Sequence, residues 1–485
     1  MFLGIDVGTS AVKAVILDEA NRLVDQGIAE LTLSRPGPLM SEQDPEAWWQ
    51  ATCKAVGMLA PGRRREVVAI GLAGQMHGAT VLGARGELLR PAILWNDGRS
   101  GPECALLEAS VPRLVEITGN HAMAGFTAPK LLWIQRHEPE VFSRIRMVLL
   151  PKDYIRWRLS GEYASDMSDS AGTLWLDTAR RQWSDELLAA CGLDRSVMPK
   201  LFEGPDVTSS VTAAASRELG VPRVPIVAGA GDNAAAAIGS GVVRRGDALL
   251  SLGTSGVIFL ADDGFRPHPR AETHTFCHAL PHRWHQMSVM LSAGGAVEWA
   301  ASALGFSSVS ELMAAAQSRG EPCQTECFLP YLSGERTPHN DPHAKGVFFG
   351  LTASTDRGAL AQSVLEGVGL GLRQGLDALR NSGTAIESLS VVGGGSRSAY
   401  WGRMLASILE VPLVYRQGAT VGPAVGAARL ARLGSTGDSV ESVCTAPPVE
   451  DVVEPVPRLA SHYTERTGKF RTLYERLKPC FTENP

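Results

Sequence analysis

Residues 224–241 read VPIVAGAGDNAAAAIGSG, and the sequence changes character in the middle of this stretch. The first half is apolar with β-branched residues, which predicts a short buried strand, and the Ala-rich second half predicts a helix. Asp232 and Asn233 lie at the junction, where Gly229, Gly231 and the alanines leave room for a small polar ligand to approach. Because Asp is also a favoured helix N-cap, this stretch alone leaves a capping role open for Asp232.

The composition is that of a globular protein with more than one domain. The chain has 485 residues, of which 44% are hydrophobic and 20% charged, so roughly two or three domains are expected. A net charge of −5 gives no electrostatic reason to expect nucleic acid or an anionic membrane as a partner. The N-terminus lacks a basic segment, no apolar run approaches the roughly 20 residues of a membrane span, and scattered cysteines suit reduced thiols. We therefore expect a cytoplasmic α/β protein.

The N-terminus predicts a β-meander with a polar first turn. Apolar residues 2–5 and 14–17 flank the sequence DVGTS at 6–10, and a third strand is expected near residue 23. The hydroxyls and the NH groups made accessible by Gly8 suit a phosphate without a lysine-tipped loop. Asp6, at the edge of this turn, is either an ordinary turn residue or a carboxylate that holds Mg²⁺ through water.

A second GTS turn, at residues 253–255, repeats the first. Residues 6–10 and 251–255 share the pattern xGTS between apolar segments, and 251 − 6 = 245 positions separate them, about half of the chain. A repeat this short could arise by chance, but the shared apolar flanks favour two similar domains with a boundary near 242–247.

Two further strand ends carry side chains suited to hydrogen-bonding a sugar or polyol. A strand at 67–73 leads into Met76 and His77, and a strand at 92–95 leads into Asn96, Asp97 and Arg99. Open α/β sheets bind ligands at such strand ends. His77 alone would suit a satisfied core histidine, but its position between two glycines at a strand end favours a ligand contact.

Several common nucleotide and metal motifs are missing. The sequence contains neither GxxxxGK[ST] nor the HRD and DFG triplets of protein kinases. The triple glycine at 393–395 follows a predicted strand at 388–392, where it suits either a nucleotide against bare backbone or a tight packing turn. Cys323-x3-Cys327 and His339-x3-His343 come close to a zinc pattern, but intervening Pro and Gly residues would break the helix, so zinc is not expected.

Other segments complete the expected order of elements. A helix is expected at 42–59, started by Asp44 and Pro45, and another at 358–379. A last packed helix is expected at 420–433, followed by an extended connector at 446–457 and a C-terminal helix at about 460–478.

Seven motifs together resemble one family. DVGTS, GQMHG, LWNDGR, GAGDN, SLGTSG, LPYLSGERTPH and VVGGGSRS occur in the order seen in FGGY-family carbohydrate kinases, over nearly the whole chain. The resemblance implies an α/β fold of two ribonuclease-H-like (actin-like ATPase) domains that face each other across a cleft. It implies a sugar-binding domain at 1–243, an ATP-binding domain at 244–436, and a connector and helix at 437–485 that pack on the second domain.

The resemblance also implies roles for single residues. Asp232 matches the general base, and Asp6 matches the carboxylate that attends Mg²⁺ and phosphate, which makes it catalytic and a metal ligand. The positions that match sugar contacts or sugar-side loops are Met76, His77, Asp97 and Asn233. The positions expected on the nucleotide side are Thr9, Lys13, Thr254, Gly394 and Gly395; at position 13 some relatives have arginine, which leaves a phosphate contact open.

The activity implied is ATP- and Mg²⁺-dependent phosphorylation of D-xylulose to D-xylulose 5-phosphate, which feeds xylose breakdown into the pentose phosphate pathway. The alternatives are a kinase for another ketose or polyol, such as ribulose or an alditol, and a non-catalytic actin-like sugar sensor. The sensor is disfavoured because Asp6, Asp232 and both GTS turns are present together. The family also suggests a homodimer.

Overall fold

The structure is a computed structural model that describes residues 1–268, 272–320, 322–393, 398–417 and 422–482. The strands are β1 (Phe2–Val7), β2 (Ala11–Leu17), β3 (Leu23–Glu30), β4 (Glu42–Gln43), β5 (Ala69–Gly74), β6 (Thr80–Leu82), β7 (Ala92–Ile93), β8 (Met147–Leu149), β9 (Ala164–Asp166), β10 (Leu176–Asp177), β11 (Gln182–Trp183), β12 (Lys200–Phe202), β13 (Val207–Ser210), β14 (Pro225–Val227), β15 (Ala230–Gly231), β16 (Ala248–Leu252), β17 (Gly256–Asp262), β18 (His274–Cys277), β19 (Trp284–Met290), β20 (Cys327–Pro330), β21 (Gly346–Phe349), β22 (Leu389–Val392), β23 (Leu413–Arg416) and β24 (Val449–Val453).

The helices are α1 (Pro45–Gly57), α2 (Pro61–Arg65), α3 (Gly101–Ser110), α4 (Leu114–Thr118), α5 (Thr127–His137), α6 (Pro139–Arg144), α7 (Pro151–Ser160), α8 (Met167–Ala171), α9 (Asp185–Ala190), α10 (Ala213–Leu219), α11 (Asp232–Ser240), α12 (Gly294–Ala303), α13 (Val309–Ser318), α14 (Arg357–Arg380), α15 (Ala399–Leu409), α16 (Gly422–Thr436), α17 (Val440–Val443) and α18 (Pro457–Thr482). Among the described residues, no helix is both long and apolar enough to cross a bilayer.

Two mixed sheets of seven strands organise the described part of the chain. The first has the order β13-β14-β5-β1-β2-β3, with β15 also paired to β5, and the second has the order β18-β19-β17-β16-β22-β23-β24. In the first sheet β1, β2 and β3 form an antiparallel meander, while β5 runs parallel to β1 and β14 parallel to β5. In the second sheet β16, β17 and β19 form the same meander, and β22 and β23 add in parallel.

The two GTS turns occupy equivalent places in the two sheets. The first joins β1 to β2, and the second joins β16 to β17. All six residues of β1 are buried, because helices cover both faces of a largely parallel sheet centre. The prediction of two similar sheet-based domains, made from the repeat alone, is confirmed.

Helix α16 follows the strands of the second sheet along the chain, except for β24, yet it packs on the first sheet and on α11. Gly4 and Gly71 are cross-strand partners on β1 and β5, and a Cβ at either would overlap a backbone carbonyl oxygen of α16. A Cβ at Gly426 would overlap the carbonyl oxygen of Ala235 on α11. Small residues therefore let α16, which lies in the second half of the sequence, pack with its backbone in close contact with the backbones of β1, β5 and α11.

Three local expectations need correction. The connector expected at 446–457 contains β24, which pairs antiparallel with β23, and α18 begins at Pro457 rather than near 460. The strand expected at 92–95 is only β7, and it pairs with β4 outside both large sheets. The helix expected at 42–59 spans only Pro45–Gly57, but its predicted start is confirmed, because Asp44 is the N-cap and its side chain accepts a hydrogen bond from the Glu46 N–H.

Substituting Gly71 with alanine should destabilise the protein. The added methyl meets the backbone of α16, which cannot move without separating the two halves, and such overpacking typically costs about 1–3 kcal/mol or more. We expect a lower midpoint of thermal unfolding for Gly71→Ala.

The matched control is Gly468→Ala inside α18, where nothing lies within 4 Å of the added methyl. This change should raise stability by about 1 kcal/mol, since alanine favours helix over glycine. Equal midpoints for Gly71→Ala and wild type would contradict the close packing of α16 on the first sheet.

Candidate active site

A cavity of about 230 Å³ lies between the two halves of the molecule. Both halves supply its walls. The lining residues from the first half are Met76, His77, Trp95, Asp232 and Asn233; those from the second half are Ser251, Ser255, Val257, His274, Phe276, Met287, Val289 and Arg336. Four residues that the sequence placed near a sugar, Met76, His77, Asp232 and Asn233, are therefore together.

Asp232 is the first residue of α11 and does not cap it. The N-cap position belongs to Gly231, so the capping alternative is wrong. Its Oδ1 accepts hydrogen bonds from the Asn233 backbone N–H at 2.7 Å and from Asn233 Nδ2 at 2.9 Å. Burial raises the pKa of Asp232 to about 6, although the Asn233 hydrogen bonds oppose this shift. At neutral pH the group is an ionised acceptor at the cavity wall.

Asp6 is a second buried carboxylate, close to Asp232. Its residue is 7% exposed, and within the described residues its Oδ1 has no hydrogen-bond partner. Burial, followed by repulsion from Asp232, raises the pKa of Asp6 to about 7, while Lys13, its cross-strand partner, opposes the shift. A buried, unpaired carboxylate oxygen beside a second carboxylate fits a divalent cation, which takes oxygen ligands.

His77 has a fixed tautomer. Its Nδ1 lies 2.6 Å from the carbonyl oxygen of Gly172, which can only accept, so Nδ1 carries the proton. Burial lowers the pKa of His77 well below its usual value, so the ring is neutral and Nε2 is an acceptor. The residue has φ of +69°, and Lys130 Nζ and Thr127 Oγ1 donate to its carbonyl at 2.8 and 3.1 Å.

Met76 supports the segment before Asp232. It is 5% exposed, and a Cβ at Gly231 would lie 2.9 Å from Met76 Cγ. A Cβ at Gly172 would likewise lie 2.6 Å from His77 Nδ1. The Met76–His77 pair thus requires glycine on both opposing backbones.

The two GTS turns are held differently. Thr9 Oγ1 donates to Gln75 Oε1 and accepts from Trp95 Nε1, both at 2.9 Å, so its hydroxyl is already engaged. Thr254 is exposed, and its carbonyl accepts from the N–H groups of Ala293 and Gly295 at the start of α12.

Other sequence-predicted residues lie away from the cavity or outside the description. The Asp97 carboxylate is fully buried and binds the Ser41 N–H at 2.6 Å and Arg99 Nη2 at 2.8 Å, and Asp97 does not line the cavity. Lys13 is partly buried on β2 and does not line it either. Gly394 and Gly395 lie outside the described residues.

Several cavity residues were not singled out from the sequence, among them Trp95, His274 and Arg336. Trp95 and Arg336 belong to motifs that were quoted, LWNDGR and LPYLSGERTPH, so position within those motifs could have pointed to them. His274 begins β18 and carries no sequence signal. Its Nδ1 lies 3.0 Å from Asn120 Oδ1, and burial, aided by Arg336, lowers its pKa to about 3.

Comparison with models of protein families shows which family this chain belongs to. The model "FGGY family of carbohydrate kinases, N-terminal domain" matches residues 1–239, and the corresponding C-terminal domain matches residues 248–434. The chain belongs to the FGGY family of carbohydrate kinases. The family resemblance drawn from seven motifs is confirmed, and so is the actin-like ATPase fold.

Individual relatives cover the whole chain. The xylulose kinase of Escherichia coli strain K12 is 53% identical over 481 residues, which are 99% of both chains. The xylulose kinase of Klebsiella pneumoniae is 52% identical over 484 residues, covering 99% of this chain and 100% of that one. A crystal structure from Brucella ovis, described as a xyloylose kinase, superposes with a TM-score of 0.94 at 48% identity and covers 99% of each chain.

Replacing His77 with asparagine should weaken binding of the carbohydrate substrate. Asparagine tolerates the positive φ but cannot place an acceptor where Nε2 lies. We expect the sugar KM to rise about tenfold, the value of one hydrogen bond, with a smaller change in kcat. Steady-state kinetics with the sugar that the wild type phosphorylates best would measure it.

His137→Asn, on the exposed end of α5, is the control and should leave the KM unchanged. An unchanged sugar KM in His77→Asn would remove His77 from the binding site.

Proposed function

We propose that this protein transfers the γ-phosphoryl group of ATP to the terminal hydroxyl of D-xylulose, giving D-xylulose 5-phosphate. Full-length similarity to two xylulose kinases at 53% and 52% identity supports the substrate. The observation that carries the chemistry is the ionisable carboxylate of Asp232 in a cavity whose walls come from both halves of the molecule.

Asp232 acts as the general base in this proposal. In-line phosphoryl transfer depends on positioning and charge neutralisation, and the hydroxyl proton leaves late. A carboxylate with a pKa of about 6 is ionised at neutral pH and able to accept that proton from within roughly 2.6–3.2 Å. Asn233 holds the Asp232 carboxylate through its side-chain amide, which leaves its own Oδ1 free to accept from the sugar.

Asp6 would hold Mg²⁺, and the unpaired Oδ1 of this buried carboxylate fits that role. Bound Mg²⁺ supplies positive charge that neutralises the phosphoryl oxygens. The backbone N–H groups of the two GTS turns would position the phosphates of ATP, with Thr254 the more accessible of the two threonines. Burial between two halves excludes water, which limits wasteful hydrolysis.

The remaining assignments follow from the same proposal. Residues 1–243 mainly bind the sugar and residues 244–436 mainly bind ATP, while 437–485 pack on the second domain. All eight cysteines are free thiols, which supports a reducing cytoplasm. A homodimer, Asp97 and Lys13 as ligand contacts, and Gly394 and Gly395 beside the nucleotide remain predictions.

The decisive experiment follows ADP formation from Mg·ATP with D-xylulose, D-ribulose, xylitol and glycerol in parallel, in wild type and Asp232→Asn. We expect the highest wild-type kcat/KM with D-xylulose, with the product phosphorylated at C5 by NMR. Asp232→Asn should keep the fold and lower kcat at least about 10²-fold, because the asparagine amide cannot accept the hydroxyl proton.

Asp451→Asn, on the exposed strand β24, is the matched control and should behave as wild type. Activity only with another polyol would discard D-xylulose but keep the base. Near wild-type turnover in Asp232→Asn would overturn the mechanism.

The pH dependence of kcat should show an acidic limb near pH 6. Burial disfavours the charged form and raises the pKa of Asp232, so the base is protonated and inactive below about pH 6 and ionised above it. We expect kcat to fall about tenfold per pH unit on the acid side and to level off above pH 7.

Profiles at two saturating Mg²⁺ concentrations separate this limb from Asp6, whose pKa of about 7 should drop when a cation binds. A limb near pH 4, the ordinary carboxyl value, would contradict burial of the base.

A further inference from the structure

The proposed reaction itself restricts which form of the sugar can bind. A 2-ketopentose closes its five-membered ring by attack of the C5 hydroxyl on the C2 ketone. A molecule phosphorylated at O5 must therefore react in the open-chain form, in which the ketone is present. Hydroxyl groups both donate and accept hydrogen bonds, whereas a ketone oxygen can only accept. A site that binds the open chain therefore needs a hydrogen-bond donor for the ketone oxygen, in addition to the groups that bind the hydroxyls.

Several polar side chains of the cavity offer hydrogen-bond acceptors. The Asp232 carboxylate accepts, and Asn233 gives one of its two Nδ2 N–H groups to that carboxylate and offers its Oδ1 as an acceptor. Neutral His77 donates from Nδ1 to Gly172, so its Nε2 accepts. These three groups suit the hydroxyl protons of a polyol.

His274 is also an acceptor at Nε2, because its Nδ1 is engaged as a hydrogen-bond donor. Asn120 Nδ2 donates to the carbonyl of Thr275 at 2.8 Å, and Asn120 Oδ1 accepts from the Thr275 N–H at 3.2 Å, so the amide orientation is fixed by the backbone. His274 Nδ1 must then donate to Asn120 Oδ1. With a pKa of about 3 the ring is neutral, and its Nε2 accepts.

The donors of the cavity are few. Trp95 Nε1 already donates to Thr9 Oγ1. The hydroxyls of Ser251 and Ser255 serve as donor or acceptor. Among the described lining residues, Arg336 is the side chain that only donates and whose guanidinium makes no hydrogen bond or ion pair with the described protein.

The neighbouring carboxylate does not pair with this guanidinium. Glu335 Oε1 accepts from the backbone N–H groups of Leu291 at 2.9 Å and Arg336 at 2.8 Å. Burial lowers the pKa of the Arg336 guanidinium, which Glu335 only partly offsets. Partial desolvation of an unpaired, half-buried cation is costly, so a polar ligand that accepts hydrogen bonds from its N–H groups offsets that cost.

The backbone around Arg336 is fixed, and its side chain reaches the opposite half. The Thr337 N–H donates to the Val289 carbonyl, and the Val289 N–H donates to Thr337 Oγ1, both at 3.1 Å. Across the cavity, a Cβ at Gly125 would lie 3.4 Å from Arg336 Nη2. The guanidinium therefore lies between the two halves, where an open-chain sugar would bind.

We propose that Arg336 donates its hydrogen bonds to the C2 ketone oxygen of the open-chain ketose and thereby sets the preference for ketoses over alditols. This inference rests on the proposed function, since it requires a 2-ketopentose that is phosphorylated at O5.

The test compares wild type, Arg336→Lys and Arg336→Met with D-xylulose. We expect kcat/KM to fall about 10²-fold in Arg336→Met, because the ketone loses its donor in a buried site, and by less in Arg336→Lys. Arg403→Met, on the exposed side of α15, is the matched control and should match wild type.

A spectroscopic readout separates recognition of the ketone from a structural role. The ¹³C resonance of D-xylulose labelled at C2, bound with a non-hydrolysable ATP analogue, should move downfield from the free open-chain ketone in wild type. This shift should be smaller in Arg336→Lys and lost in Arg336→Met.

A wild type that does not phosphorylate D-xylulose would overturn the proposed function. If the wild type phosphorylates D-xylulose and kcat/KM in Arg336→Met stays within threefold of the wild-type value, only the role of Arg336 is overturned. An unchanged C2 resonance in Arg336→Met would overturn that role as well.

Discussion

The close backbone packing of α16 on β1, β5 and α11 is the constraint on which the rest of the structure depends. Glycine at 4, 71 and 426 leaves no side-chain atom at three points of contact, so the backbone of the helix lies directly against the first sheet and α11 there. At the other end of α11, Arg429 Nη1 donates to the carbonyls of Ile238 and Gly239. Helix α11, which presents Asp232, is thereby fastened to a helix that belongs to the second family domain.

A buried charge network holds the opposite side of Asp232. Lys152 Nζ lies 2.5, 2.7 and 3.4 Å from carboxylate oxygens of Asp153, Asp166 and Asp169, and all four side chains are fully buried. Ser168 Oγ donates to Asp166 and accepts from the Gly231 N–H. The network therefore fixes the backbone one residue before Asp232. Burial raises the pKa of Asp169 well above its ordinary value, and Lys152 opposes this shift.

The local sequence correctly predicted the elements that are determined by the preferences of neighbouring residues. The change from β-branched residues to alanine at 224–241 correctly predicted a strand end followed by a helix, and the repeated GTS turn predicted two similar sheets. Strand β24 was missed because it is an exposed edge strand between prolines, where alternation of buried and polar residues is absent. Composition alone made that segment resemble a connector.

The candidate site was only partly predictable, because partner choice is a tertiary property. Asp97 has the chemistry of a sugar ligand, and the sequence did not predict that its carboxylate accepts a hydrogen bond from Arg99, two residues away. His274 and Arg336 reach Asp232 from distant segments and only after the two halves meet. The tautomer of His77 depends on the carbonyl of Gly172, which lies 95 positions further along the chain. Residue type and spacing do not carry such information.

We expect Asp232 to face the hydroxyl that receives the phosphoryl group. A crystal structure of the wild-type protein with D-xylulose, Mg²⁺ and a non-hydrolysable ATP analogue tests it most directly. We expect a carboxylate oxygen of Asp232 to lie within roughly 2.6–3.2 Å of the C5 hydroxyl oxygen. A C5 hydroxyl beyond hydrogen-bonding distance of Asp232, with the C1 end of the sugar in its place, would contradict it.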